Sequence, residues 1–243
     1  MLVLKNVTKK YGEYAALKNI QLTFQPGVYG ILGPNGAGKS TMMKLLTLSE
    51  KVTEGSILYN DCEIWKLGKS FLEYIGYVPQ QQALYGGFTA EDFLNYIARL
   101  KGIEKKESRT QIERLLTFVN LEKDRNKKIK GFSGGMKQRL LLAQSLLGNP
   151  EIILLDEPTA AVDPMERVVI RNLIKKIGEN KIVLITTHIL SDIETIANNI
   201  VLLNKGQVVF NGTREEALTK YGKNNLEEVY EEVFGVEECI DYS

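Results

Sequence analysis

Cysteine is nearly missing from these 243 residues: Cys62 and Cys239 are the only two, far apart and with no histidine nearby. That excludes a disulfide framework and offers no zinc-ligand spacing, so a reducing, cytoplasmic setting is expected. An excess of either charge is also lacking. With 31 Lys and Arg against 30 Asp and Glu the net charge is +1, which gives no electrostatic argument for nucleic acid as a partner. No apolar run approaches the roughly 18 residues of a membrane span. The longest, such as Ile152 to Leu155 and Ile182 to Ile185, are strand-sized. The opening Met-Leu-Val-Leu-Lys-Asn reaches a lysine too soon for a signal-peptide apolar region. Any action at a membrane therefore requires another chain to cross it. Internal repeats and low-complexity tracts are missing too, and the single tryptophan, Trp65, is expected to pack.

What is present centres on Gly33-Pro34-Asn35-Gly36-Ala37-Gly38-Lys39-Ser40-Thr41. An apolar run, Val28 to Leu32, precedes it, and Met42, Met43, Leu45 and Leu46 follow at helical spacing. Strand, glycine-rich loop and helix in that order form a phosphate cradle. The glycines allow close backbone approach to an anion, and the N–H groups of the new helix point at it. Lys39 is expected to reach the β- and γ-phosphates, and the Ser40 hydroxyl to complete magnesium coordination. A second acidic element, Glu151-Ile-Ile-Leu-Leu-Asp156-Glu157-Pro158, reads as a buried strand ending in two carboxylates. Neighbouring strand residues point to opposite sides. Asp156 is thus assigned to magnesium through its water shell, and Glu157 to orienting and deprotonating the attacking water.

The rest of the chain supplies the frame. Strands are expected at Leu2 to Val7 and Ile20 to Phe24, with a turn at Tyr11-Gly12-Glu13, then at Ser56 to Tyr59 and Ile75 to Val78. From about residue 83 the pattern is helical. Thr89 can cap a helix with an apolar stripe of Phe93, Tyr96, Ile97 and Leu100; a second stripe is Ile112, Leu115, Leu116 and Val119, and a third helix runs from Met136 to Leu147. Strand, helix, strand, helix, strand then follow from Ile152 to Leu203, which implies a mainly parallel sheet with right-handed crossovers. A hairpin at Asn204-Lys205-Gly206 and two capped helices, Thr213 with Glu216 and Asn225 with Glu228, end the chain. The fold class expected is α/β, a P-loop NTPase core with an N-terminal antiparallel β part and an inserted α-helical lobe. One domain is expected over 1–243: the α/β core in 1–82 and 150–212, the helical lobe in 83–149, and C-terminal helices in 213–243.

A phosphate loop is shared by kinases, GTPases, helicases and transport ATPases, so the later motifs decide among them. Phe132-Ser133-Gly134-Gly135-Met136-Lys-Gln-Arg-Leu, directly before a helix, resembles the signature motif of the ABC transporter ATPases. At a helix N-terminus, Ser133 and the Gly134 and Gly135 amides form a second anion site. The resemblance implies that this signature closes over ATP held by the phosphate loop of a partner subunit, two subunits sandwiching two nucleotides head to tail. It also implies roles elsewhere. Tyr11 stacks on adenine, although alone it reads as a turn or packing tyrosine. Gln80, in Tyr77-Val-Pro-Gln-Gln-Gln82, contacts magnesium and senses the membrane partner. Asp163 stands at the intersubunit aspartate position, where capping the helix that starts at Pro164 is a sufficient role by itself. His188, the single histidine, resembles the switch residue that hydrogen-bonds the γ-phosphate, whereas a lone histidine after an apolar strand otherwise reads as a core residue.

Two positions depart from that pattern. Met136 replaces a usual glutamine, and Ala160-Ala161-Val162 replaces the usual Ser-Gly/Ala-Leu. These bear on the strength of dimer closure more than on hydrolysis. The function implied is an ATP-binding and ATP-hydrolysing subunit, with ATP and Mg2+, peripheral on the inner face of the membrane. It would pair as a homodimer or heterodimer and act on separate transmembrane permease subunits. The signature, the single ATPase unit and the C-terminal Leu-Glu-Glu-Val-Tyr resemble small type-2 exporters rather than importers. The other readings are a soluble ABC ATPase that remodels a non-membrane complex, and a plain nucleotide kinase, which leaves the signature unexplained.

Overall fold

The computed structural model of the chain describes residues 1–81, 83–160 and 162–235. Gln82, Ala161, Cys239 and the end of the 213–243 segment lie outside the described residues.

Polar and apolar residues alternate through Leu2–Tyr11 (β1) and Tyr14–Phe24 (β2), and the two pair as an antiparallel hairpin that buries Leu2, Leu4, Ile20, Leu22 and Phe24. Past Pro26 the pattern changes: Gly27–Leu32 (β3) is buried along its whole length, as a strand covered on both faces must be. The loop 33–38 leads into Lys39–Leu46 (α1). Glu54–Tyr59 (β4) and the two-residue Cys62–Glu63 (β5) complete a four-stranded sheet ordered β2-β1-β4-β5. Single-turn helices Ile64–Leu67 (α2) and Lys69–Leu72 (α3) lead to Ile75–Val78 (β6). Trp65, on α2, is half-buried and packs against the core, as expected.

Three longer helices follow: Ala90–Leu100 (α4), Lys105–Phe118 (α5) and Gly134–Leu146 (α6). On α4 the buried face differs from the stripe that the spacing predicts. Phe93 is buried, but the buried face continues through Leu94 and Ala98, while Tyr96 is 37% and Leu100 67% exposed. Two of the four residues on the buried face, Ala90 and Ala98, are small, and a stripe drawn through large apolar residues passes over them. Tyr96 instead meets the rings of Tyr85 and Phe88 near the surface.

The α/β alternation resumes with Ile152–Asp156 (β7), Pro164–Gly178 (α7), Ile182–Thr186 (β8), Leu190–Ile196 (α8) and Asn199–Asn204 (β9). Gln207–Thr213 (β10), Arg214–Tyr221 (α9) and Leu226–Phe234 (α10) follow. The larger sheet is ordered β10-β9-β3-β8-β7-β6, parallel throughout except for the β9–β10 hairpin. Period-two alternation sorts its side chains between two cores. Leu155, Ile185 and Leu202 face the helices, whereas Leu154, Leu184 and Leu203 face α1 and the antiparallel sheet. Because the strands are parallel, their C-terminal ends share one edge, with Ile31 beside Thr186, Thr186 beside Asp156 and Leu155 beside Val78. In open α/β sheets this edge is where ligands bind.

Candidate active site

The loop from Gly33 to Gly38 leaves β3 at that edge. Gly38 has φ 111° and no side chain caps α1 after it, so the first-turn N–H groups are open to an anion. A Cβ on Gly38 would stand 2.7 Å from both the Ala16 carbonyl oxygen and a Leu17 methyl; the loop is pressed against β2. It is also held from the β9–β10 turn, where Gly206 N donates to the Ala37 carbonyl at 3.0 Å, and internally by Ala37 N donating to the Pro34 carbonyl at 3.1 Å. Lys39 Nζ donates to the Gly33 and Pro34 carbonyls at 2.6 and 3.1 Å. Burial lowers the Lys39 pKa from its ordinary value, and the Glu157 and Asp156 carboxylates oppose that shift. A phosphate is a stronger, charge-assisted partner for this ammonium than two neutral carbonyls. Asn35, Gly36 and Ser40 are exposed at the mouth of the loop, and Thr41 is half-buried.

The two carboxylates occupy the neighbouring strand end. Asp156, the last residue of β7, accepts a hydrogen bond from the Thr186 hydroxyl of β8. Glu157 takes φ 53°, a left-handed conformation that costs about 1–3 kcal/mol for a residue of this kind. Its N–H donates to the Thr186 carbonyl at 2.9 Å, so Thr186 holds both acids. The Glu157 side chain is 10% exposed; Oε1 lies 3.0 Å from His188 Nδ1. Oε2 is buried with no hydrogen-bond partner. An acceptor left in that state is costly, and a water presented to it would remove the cost while being oriented. The His188 side chain is 70% exposed, which removes the core-residue reading.

Magnesium fits the donor set only together with phosphate oxygens. Among the described residues no group of three or more His, Cys, Asp or Glu could hold a metal by itself. The Ser40 hydroxyl and the Asp156 carboxylate are hard oxygen donors of the type this ion takes alongside substrate phosphates.

The remaining predicted residues lie on other elements. Ser133 caps α6 by accepting the Met136 N–H at 3.2 Å. A Cβ on Gly135 would stand 2.6 Å from a Glu166 carboxylate oxygen. Glu166 pairs with Arg139 at 3.1 Å, and Arg139 also donates to the Val119 and Asn120 carbonyls at 2.9 and 2.8 Å. This partly buried pair joins the end of α5 to α6 and α7 behind the Ser-Gly-Gly turn. Met136 is half-buried against the helical core. Asp163 is exposed and caps α7, accepting from Met165 N at 3.1 Å and Glu166 N at 3.0 Å. Tyr11 is 41% exposed at the hairpin tip with Lys9 Nζ 4.8 Å from its ring centroid. Gln80 is exposed two residues beyond β6.

The structure thus brings together Lys39, Asp156, Glu157 and His188. Among the described residues no hydrogen bond or ion pair joins Ser133 to Met136 with the phosphate loop. Sequence reasoning did not single out Thr186, Arg139 or Glu166. For Thr186, the signal available was its place beside Asp156 once two parallel strands are aligned.

Residues 17–160 match the sequence profile of a family described as ABC transporter. An uncharacterized ABC transporter ATP-binding protein of Bacillus subtilis (strain 168), YxlF, is 36% identical over 219 residues, covering 89% of this chain and 72% of that protein. The lantibiotic transport ATP-binding protein SrtF of Streptococcus pyogenes is 35% identical over 232 residues, covering 95% of this chain and 96% of that protein. The chain spans 27% and 24% of the lengths of two ABC transporter A family members of Dictyostelium discoideum that it also matches. A dimeric post-hydrolysis state of the ATP-binding cassette MJ0796, bound to ADP and Pi, aligns with TM-score 0.75 and 33% identity over 88% of this chain and 98% of that one.

Proposed function

This chain belongs to the ABC transporter family as an ATP-binding subunit and ATP hydrolase, and from that premise we propose that it drives export through separate transmembrane subunits by closing head to tail on a second ATPase subunit. The observation that carries the chemistry is Glu157: a nearly buried carboxylate, fixed by Thr186 and His188, with one oxygen free of partners. Lys39 and the open N–H groups of α1 bind and orient the β- and γ-phosphates. Glu157 Oε2 takes a proton from the attacking water, while Oε1 keeps its hydrogen bond to His188. The exposed His188 ring offers its other nitrogen to the γ-phosphate. Magnesium, held by Ser40, Asp156 and Gln80 with the phosphates, would supply neutralisation of the charge that develops on them.

Ser133, Gly134 and Gly135 form an anion-binding helix start that, among the described residues, no hydrogen bond joins to the phosphate loop of their own chain. They act on the nucleotide of the partner subunit, beside the partner-facing Asp163, and Tyr11 stacks on adenine. Export as the direction is supported by the similarity to SrtF, a lantibiotic transport ATP-binding protein. Among the described residues no helix is long and apolar enough to cross a membrane; the reading assigns translocation to other chains and places this one at the membrane periphery.

Glu157→Gln tests the reading directly. Turnover of ATP is expected to fall by about 10²–10⁴-fold with ATP still bound, and the chain to accumulate as a dimer in ATP by light scattering. Near-normal turnover would remove Glu157 from the role of base. Copurification with a membrane protein from detergent extracts tests the partner; export of a lantibiotic-like peptide into the medium tests the direction.

A further inference from the structure

Behind the Glu157–His188 contact lies a buried polar cluster that neither the phosphate loop nor the signature uses. Asp192, in the first turn of α8, is 2% exposed. Its Oδ2 accepts the hydroxyl of Thr159, itself 2% exposed, at 2.5 Å, and its Oδ1 accepts from Arg171 Nη1 of α7 at 3.3 Å. Arg171 Nε is buried with no hydrogen-bond partner. A carboxylate so far from water persists only when donors answer it.

The position of these three residues in the chain gives the cluster its meaning. Thr159 follows Glu157 by two residues, and Asp192 follows His188 by four. The Thr159–Asp192 bond therefore ties the turn that carries the carboxylate to the helix that starts beyond the imidazole, and Arg171 anchors that tie to α7. We infer that Asp192, through Thr159 and Arg171, is a positioning residue that keeps Glu157 and His188 within hydrogen-bond reach during hydrolysis. It touches neither substrate nor phosphate. Its effect is on register: without the latch, the left-handed turn at Glu157 and the exposed His188 loop are free to move apart. This inference rests on the hydrolytic reading of Glu157 and His188.

His188 is the only imidazole in the protein, so a single ring cross-peak in an NMR spectrum of the labelled chain reports its surroundings without background. The test compares Thr159→Val, which keeps shape and removes the hydroxyl, with Thr159→Ser, which restores it. Thr159→Val is expected to lower kcat by about 10- to 100-fold with KM for ATP within about twofold, since a sub-ångström misplacement of a reacting pair acts on the chemical step. The His188 peak should shift in the nucleotide-free protein, and Thr159→Ser should return both kcat and peak toward wild type. Lys223→Ala, which breaks a remote surface pair with Glu232, should change neither.

A folded Thr159→Val protein with unchanged kcat and an unmoved His188 peak would overturn the latch. If Thr159→Val does not fold, the near-isosteric Asp192→Asn carries the same two readouts. The latch and the catalytic reading fail separately. Glu157→Gln with normal turnover beside a shifted His188 peak in Thr159→Val removes the base and leaves the latch. Loss of turnover in Glu157→Gln beside an inert Thr159→Val removes the latch alone.

Discussion

At Gly38 the backbone takes φ 111°, and any Cβ would stand 2.7 Å from the Ala16 carbonyl. Both facts hold for every side chain, so Gly38→Ala is expected to abolish ATP binding measured by titration calorimetry and to destabilise the fold by about 1–3 kcal/mol. Lys39→Ala should behave differently. It removes two hydrogen bonds to neutral carbonyls and an ammonium whose charged form burial already disfavours, so thermal stability should change little while nucleotide affinity is lost. Equal stability losses in the two variants would argue against this separation. Glu157 presents the same left-handed constraint in a non-glycine residue. A strained turn there is tolerated because Thr186 holds it from the next strand. No composition or spacing argument reveals that strain, since it arises only when β7 and β8 pair.

Among the secondary elements, start signals were the most readable feature. Thr89 and Thr213 each form a reciprocal capping box, the first with Asp92 and the second with Glu216, and Asn225 caps α10 by accepting Glu228 N. Thr89→Ala and Thr213→Ala should each cost about 1 kcal/mol, or roughly 2–4 °C in Tm for a domain of this size, measured by calorimetry. Thr213→Ala should leave ATPase activity intact because α9 packs away from the phosphate loop, against β10 and α10. Which face of a helix is buried was less readable. The α5 residues Ile112 and Leu116, and Val119 just beyond them, are buried as their spacing indicates. On α4, Tyr96 and Leu100 are exposed because the buried face runs through Ala90, Phe93, Leu94 and Ala98 instead.

For the whole molecule, a signature that among the described residues no hydrogen bond joins to the phosphate loop of its own chain makes a composite-site prediction. Lys39→Ala and Ser133→Arg subunits should each be inactive alone. Mixed one to one, half of the dimers are heterodimers with one complete site of two, so turnover should recover to about a quarter of wild type. Recovery to zero with confirmed heterodimers would contradict the head-to-tail arrangement. The sequence by itself determined the element order, the phosphate loop between strand and helix, the two acids after an apolar strand and the helix caps. Each of these depends on residues within a few positions of one another, where local sterics and hydrogen bonds act. Tertiary structure decided what depends on elements distant in sequence: the Thr186 support of Asp156 and Glu157, the Glu166–Arg139 pair behind Gly135, the buried face of α4 and the Thr159–Asp192–Arg171 cluster. Strand register and helix packing bring those groups together, and neither is written in the spacing of any single segment.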